Sequence, residues 1–381
     1  MTEERVDVAI IGGGCAGLSL ATRLAEADLG GRRVVVLEPR TSYTRDRTWC
    51  GWSFGTHRFS SCVDRSWRQW AVRHDGVEHV HSSTRHAYEH IPADRFYETA
   101  LDAIDGADHV ELRKGVRAER LVPLDGATRI ESDQGRPLLA DLVIDTRPEL
   151  HEPRGPALLQ HFVGLGIVTA GDAFDPGRVT LMDFDVDQSD GIHFMYVLPF
   201  SRRRALVEST ILSSAPLPEK IYTARAIEYV QRVHDAEIEG IRRVESGAIP
   251  MSDGRGVSAG LPHVVRAGAA AGAVRPSTGY AFHGIQRQTD RLTRAIAAGR
   301  IPRERPVRSR VDSWLDRVFL GVISRFPERA PELFARMASS LDAETFARFM
   351  MERQGWPDRR RVVLSMPKLP FTREALRLAR S

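Results

Sequence analysis

Near its start the chain carries a nearly continuous apolar run, "VDVAII" (6–11), rich in β-branched residues. Such a run predicts a strand covered on both faces, as in a parallel sheet. Glycines interrupt it at 12–17, and "LSLATRLAE" resumes with helical spacing. "RRVVVLEP" (32–39) predicts a second parallel strand, and "ADLVIDTRP" (140–148) a third that runs into a polar turn. Between them, "AYEHIPADRFYETALDAI" (87–104) predicts a loop and a helix. Further on the period falls to two. In "RVTLMDFDVDQ" (178–188) alternation puts Met182, Phe184 and Val186 on one side and Asp183, Asp185 and Asp187 on the other. In "ALVESTIL" (205–212) Glu208 shares a face with Leu206, Thr210 and Leu212, and the opposite face is largely apolar too. From 312 to 354 the pattern becomes helical, with Trp314, Leu315, Val318, Phe319, Val322 and Ile323 on apolar stripes.

Strands that alternate with helical segments predict an α/β fold, and 381 residues exceed the usual size of one core. The glycine turn sharpens this. Gly12, Gly14 and Gly17 fit G-x-G-x-x-G between a strand and a helix, and Gly13, Cys15 and Ala16 fill the turn. There the first glycine permits the turn, the second lets backbone approach a pyrophosphate, and the third lets helix and strand pack closely. The helix N-terminus offers free N–H groups to phosphate oxygens. Glu38, at the end of the second strand, stands where a carboxylate accepts hydrogen bonds from a ribose. An acid there suits an unphosphorylated adenosine ribose, that of NAD or FAD. Arg95, on the helix after the 87–92 loop, is a candidate contact on the flavin side.

Composition narrows the picture further. The net charge is +4, and lysine occurs only at 114, 220 and 368 among 54 basic residues, so arginine dominates. No basic run is interleaved with aromatics, which argues against nucleic acid as a partner. Cys15, Cys50 and Cys62 have no metal-ligand spacing, so no metal site is expected, and an odd count without a framework fits a reducing, cytoplasmic compartment. The N-terminus is acidic before it turns apolar, unlike a signal peptide, and no apolar run approaches the ~18 residues of a membrane span. A weakly cationic surface is compatible with an anionic membrane.

A second glycine-rich stretch, "RAGAAAGAVRPSTGYAF" (266–282), stands far from the first. In flavoproteins of the hydroxylase type a late Gly-Asp-Ala segment wraps the cofactor. Here Gly268 is present and the acid is replaced by Ala269. The Gly-x-x-x-Gly spacing before Pro-Ser-Thr-Gly-Tyr resembles the flavin loop of the lycopene cyclases, which implies Gly268, Gly272, Thr278 and Gly279 as cofactor-binding residues and places Tyr280 at the end of the loop. "RDRTWCGWSF" (45–54), "LMDFDVDQSDGIHFMYVLPFSRRRALVEST" (181–210) and "FARFMMERQGWPDRRRVVLSMPKLPF" (346–371) are similar to further regions of that family, in order along the chain. Two positions depart from the common pattern: Arg275, where many members carry His, and Ser209, where many carry a second acid beside Glu208.

The resemblance implies a Rossmann-type FAD-binding domain in a hydroxylase-like two-domain flavoprotein, with a mixed-sheet substrate domain and C-terminal helices. The expected boundaries are 1–150 and 261–305 for the FAD domain, 151–260 for the substrate domain and 306–381 for a helical cap. It also implies cyclisation of the ψ-end of a linear carotene to a β-ionone ring, without net oxidation. Reduced FAD would be the active form, NAD(P)H the reductant, and the substrate a carotenoid dissolved in a membrane to which the protein binds peripherally. On this reading Glu208 is the acid, with Asp183 and Asp187 as further catalytic candidates. Trp49, Trp52, Phe194, Tyr196 and Tyr280 are the candidate substrate-binding aromatics, whose ring faces stabilise a cation. The residues by themselves leave alternatives open. The three aspartates also fit a solvated strand edge, and Glu208 a buried salt-bridge partner. A flavin monooxygenase, a cyclase of another terpenoid pathway, and a non-catalytic carotenoid-binding flavoprotein all fit the same patterns.

Overall fold

The computed structural model describes residues 3–148, 158–251 and 258–380. Two seven-stranded sheets and a small three-stranded one organise the chain. In the first sheet, Val110–Lys114, Val34–Glu38, Glu4–Ile11 and Leu138–Asp145 lie side by side in parallel, followed by the antiparallel Ala127–Ser132 and Ala118–Leu124. The short strand Val264–Arg266 adds to Leu138–Asp145, in parallel, from far along the chain. One face of the sheet (Val8, Ile10, Val34, Val36) packs against the helices Cys15–Ala25, Ala93–Asp105 and Phe282–Ala297 through Leu18, Phe96 and Leu292. The other face buries Ala9, Val35 and Val143 against Ile130 and Leu138. Both faces are covered, and this explains the apolar run at 6–11. Each fully buried Val, Leu or Ile contributes about 1.5–3 kcal/mol.

The second sheet runs Ile238–Met251, Leu158–Thr169, Arg204–Ser213, Ile192–Ser201, Arg178–Asp183, Gln69–His74 and Val77–Ser82. One of its faces packs on the helix Glu219–Val233, where Tyr222, Ala226, Tyr229 and Val230 meet Val163, Leu165, Met195, Val197 and Val207. The other face looks towards the C-terminal helices, where Leu206 and Leu212 join a core with Val322, Leu333, Phe334 and Met350. Those helices are Arg310–Arg325, Ala330–Ser340, Ala343–Met350, Trp356–Ser365 and Lys368–Ala379.

Two expectations need correction. The hairpin Gln69–Ser82 belongs to the second sheet, so residues before 150 build both sheets. The boundary at 150/151 itself lies outside the described residues. The strand expected through 188 ends at Asp183. Beyond it Asp185 pairs with Arg73 and Asp187 with Arg225, so the three acids do not form one strand face.

Candidate functional site

The first glycine turn joins the strand Glu4–Ile11 to the helix Cys15–Ala25. A Cβ on Gly17 would lie 1.8 Å from the carbonyl oxygen of Gly12, so only glycine lets helix and strand approach this closely. A Cβ on Gly14 would meet nothing within 4 Å, so the turn faces open space at the helix N-terminus. Glu38 is buried at the end of its strand. It accepts the N–H of Gly13 at 2.6 Å and the backbone and Nε N–H groups of Arg40 at 2.8 and 2.9 Å. Arg40 lies over the ring of Tyr43 and donates to the Gly13 carbonyl at 3.0 Å, as does the Tyr43 hydroxyl. Burial pushes the Cys15 thiol up to about 12, which makes it an inert part of the turn.

The second glycine stretch meets this turn. The N–H of Ala267 donates to the Asp145 carbonyl at 2.9 Å, and that of Gly268 to Gln288 Oε1 at 2.7 Å. Gly268 has φ +73°, and a Cβ there would come within 2.8 Å of the Ala16 Cβ. The 3-10 turn Gly268–Ala271 closes on Gly272 in the left-handed region. A glycine face on open space, a helix N-terminus, an acid at the second strand end and a second glycine loop against the first helix turn form a donor set that fits a dinucleotide cofactor. Arg95 is exposed on its helix, where its charge acts on Asp64.

Above the second sheet lies a cavity of about 380 Å³. Four strands in register build one row of its floor: Glu245 opposite Gly164, Gly164 opposite Glu208, and Glu208 opposite Tyr196. The next row is Gly247, Phe162, Thr210 and Phe194, by the same pairings. Glu208 is buried and accepts the Thr210 hydroxyl at 2.7 Å. Burial, followed by the repulsion of Glu245, pushes its carboxyl up to about 8, against weaker opposition from Thr210 and Arg243. Glu245, also buried, accepts the Thr48 hydroxyl at 2.8 Å and stands 3.5 Å from the Arg243 guanidinium. On the other side of Glu208 the hydroxyl of Tyr88 joins those of Tyr196 and Tyr280, each at 2.9 Å. A carboxyl whose burial favours the protonated form thus stands between Glu245 on one side and the linked Tyr88, Tyr196 and Tyr280 phenols on the other, an arrangement suited to giving up a proton.

The structure gathers some of the expected residues here and not others. Trp49, Phe194, Tyr196, Glu208, Thr278, Gly279 and Tyr280 all line the cavity. Trp52 does not: it is fully buried behind Tyr88 and Tyr280, packed edge-on to Trp70 and Phe346. Asp183 is corrected as well. It lies on the opposite face of the sheet, where it accepts the Tyr229 hydroxyl at 2.7 Å beneath the helix Glu219–Val233. Asp187 is exposed and paired with Arg225. Neither shares a space with Glu208. The sequence reading missed Glu245, Gly164, Tyr88 and Thr48. The strand holding Glu245 has a mixed burial pattern and two neighbouring arginines, so its period gave no sign of a carboxylate facing a cavity.

A smaller cavity of about 210 Å³ lies among the C-terminal helices, lined by Trp314, Val318, Phe319, Val363, Lys368 and Phe371. It shares Ser277, Thr278, Phe334 and Met350 with the Glu208 chamber. Arg275, one of the two departures, is buried nearby. It pairs with Asp316 at 3.1 Å, donates to the Phe349 carbonyl and lies 4.5 Å over the Phe349 ring.

Comparison with known proteins places this geometry. The family described as "Lycopene cyclase protein" matches residues 7–376. A lycopene beta-cyclase from Pseudescherichia vulneris is 24% identical over 96% of this chain and 95% of its own. Among solved structures, a geranylgeranyl bacteriochlorophyll reductase-like protein from Thermoplasma acidophilum superposes with a TM-score of 0.61 at 15% identity, covering 99% of this chain and 100% of its own. The p-nitrophenol 4-monooxygenase PnpA from Pseudomonas putida DLL-E4 gives 0.59 at 16% identity, covering 98% of each chain. At these identities the structures speak for the fold, which is that of the hydroxylase-like two-domain flavoproteins.

Proposed function

The chain belongs to the lycopene cyclase family, and on that premise we propose that it is an FAD-dependent lycopene β-cyclase. The observation that carries this reading is Glu208: a buried carboxyl, pushed up to about 8, on the floor of a cavity that it shares with Phe162, Phe194, Tyr196 and Tyr280. Protonation of an unactivated alkene needs a positioned acid in a site without competing water. Glu208 meets the first requirement, and Phe162, Phe194 and Leu212 supply apolar wall in the same cavity. The proton goes to the terminal double bond of the ψ-end, the next double bond attacks the resulting tertiary cation, and loss of a ring proton leaves the β-ionone ring. The faces of Phe194, Tyr196 and Tyr280 stabilise the passing positive charge.

FAD would be held by the 12–17 turn, Glu38 and the 268–272 loop, and its reduced form, supplied by NAD(P)H, would place electron density near the cation without being consumed. The smaller cavity among the C-terminal helices accommodates the part of the polyene that does not react. Its surroundings carry exposed apolar side chains, among them Leu364 and Leu369, consistent with a face that rests on a membrane. Among the described residues no helix is long and apolar enough to cross one.

The test is an anaerobic incubation of the FAD-loaded, dithionite-reduced protein with lycopene in liposomes. Rings should form with unchanged product mass and no stoichiometric loss of reductant. A product heavier by one oxygen, or one reductant consumed per turnover, defeats the proposal.

A further inference from the structure

Glu208 and Glu245 occupy the same row of the sheet floor, two strands apart, with Gly164 between them. Were Gly164 to carry a Cβ, it would lie 3.1 Å from Leu206 Cδ1, 3.2 Å from Glu245 Cγ and 3.5 Å from Glu208 Oε2. The glycine keeps the space between the two carboxyl groups clear, and both open on the same cavity. Their surroundings differ in a directed way. Glu208 has one hydroxyl donor, Thr210, and Gly164 and Tyr196 as its cross-strand neighbours. Glu245 has a hydroxyl donor, Thr48, and the Arg243 guanidinium, which itself donates to Thr48 at 3.1 Å. Among the described residues Glu208 has no ion pair and feels Arg243 only weakly, whereas Glu245 stands 3.5 Å from that guanidinium, an asymmetry that suits an acid at 208 and a base at 245.

Ring closure needs both, at the two ring carbons that flank the one carrying the first cation. Once Glu208 has given its proton, the ring cation must lose one from a defined carbon: the ring-junction carbon for a β-ring, the ring methylene for an ε-ring, or the methyl group for an exocyclic double bond. The other acid lining the cavity, Asp46, accepts the Tyr97 hydroxyl at 3.0 Å and stands 3.6 Å from Arg40, beside the glycine turn. We propose that Glu245 is the catalytic base that takes the ring-junction proton and so fixes a β rather than an ε or exocyclic double bond. This deepens the cyclase reading above and rests on it.

The step balances. The O–H bond of Glu208 breaks, the electrons of the terminal double bond form the new C–H bond and leave the tertiary cation, and the electrons of the next double bond close the new C–C bond. The ring-junction C–H bond then breaks, its electrons form the ring double bond, and the proton appears on Glu245. Transfer of that proton across the gap at Gly164 restores Glu208. No oxidant, reductant or net proton is used, as an isomerisation requires.

The deciding variant is Glu245→Gln in the FAD-loaded, reduced protein, assayed on liposomal lycopene with chromatographic separation of ring isomers. Ring formation should fall ~10²-fold or more. The residual product should contain ε or exocyclic rings, while Glu245→Asp should keep the β product at reduced rate. Flavin content should stay at wild type in both. Pure β-rings at the wild-type rate from Glu245→Gln overturn the assignment. So does a rate loss that leaves the residual product purely β, which marks a structural role. If Glu245→Gln does not fold, Gly164→Ala decides, because its methyl group wedges between the carboxyl groups. A raised share of non-β rings supports the base, and an unchanged rate and product overturn it. Failure of the wild-type protein itself to form rings in this assay would refute the cyclase reading instead.

Discussion

Glu208 and Ser209 are adjacent in the chain and stand on opposite faces of one sheet. Glu208 looks into the cavity, whereas Ser209 is fully buried on the helix side, 3.0 Å from His193 Nε2. The departure at 209 therefore lies on the face away from the cavity, and a second acid there would point towards the helix Glu219–Val233. Ser209→Ala should leave ring formation unchanged and cost about 1–3 kcal/mol of stability, since the buried His193 nitrogen loses its partner. The double variant Glu208→Gln with Ser209→Glu should remain as inactive as Glu208→Gln alone. Pigment analysis and denaturant titration read both outcomes; recovered activity in the double variant would contradict the face assignment.

The raised carboxyl of Glu208 has consequences for both rate and stability. As an acid it works while protonated, so the rate should fall about tenfold per unit above about pH 8. For stability, the folded protein holds a proton that the unfolded chain releases near the ordinary value of 4.5. Folding is therefore favoured by this group below pH 4.5, and that contribution is lost as pH rises from 4.5 to about 8. Glu208→Gln carries no such proton, so its stability relative to wild type should rise across this window. Parallel denaturation of the two proteins from pH 5 to 8 measures it; parallel stability curves would show that Glu208 is ionised in the folded state.

The periodic parts of this fold were legible in advance because their burial is one-sided or complete. Val6–Ile11 and Val34–Glu38 are covered on both faces, and the residues around Glu208 are buried throughout their strand. Legibility ended where position depends on register between distant strands. Nothing local tells that Glu245 lies two strands from Glu208, because Gly164 aligns them only once three separated segments pair. Trp52 and Trp49 are three residues apart on one strand and look alike in sequence, yet only Trp49 reaches the cavity. Asp183 was misplaced for a simpler reason: alternation gives two faces, and the aspartate took the one covered by the helix Glu219–Val233.

Arg275 looks in the sequence like a lost functional histidine, but in the fold it is an anchor. Its pairing with Asp316, and the Ser277 hydroxyl donated to the same Asp316 oxygen at 2.7 Å, tie the second glycine loop to the helix Arg310–Arg325. Arg275→Met should cost about 3–5 kcal/mol, because Asp316 is left buried without a countercharge. Adding Asp316→Leu should recover a large part of that loss, since the uncompensated charge is removed. Equilibrium unfolding of the two variants checks this, and additive losses in the double variant would mean the pair is not the source of the stability.

The helices Trp356–Ser365 and Lys368–Ala379 carry a combination that water alone does not reward. Trp356 and Leu369 are 70% and 71% exposed, Leu364 and Leu376 more than half, and Arg360, Lys368, Arg373 and Arg380 lie among them. Val363, Lys368 and Phe371 also line the smaller cavity, so the apolar surface lies beside a way into the interior. On an anionic bilayer the apolar side chains gain about 1.5–3 kcal/mol each on burial, and each cation near the surface adds about 1 kcal/mol. Trp356→Ser with Leu369→Ser should therefore weaken binding to phosphatidylglycerol vesicles by ~10²-fold. Arg360→Gln with Arg373→Gln should weaken it by roughly 30-fold, an effect absent on phosphatidylcholine. In both, ring formation from lycopene dispersed in detergent should stay near wild type while the rate from liposomes falls, because delivery is impaired and the chamber is untouched. Vesicle co-sedimentation together with the two assays separates the cases. Equal losses in detergent and in liposomes would place these side chains in the folding of the C-terminal helices, with no part in reaching the membrane.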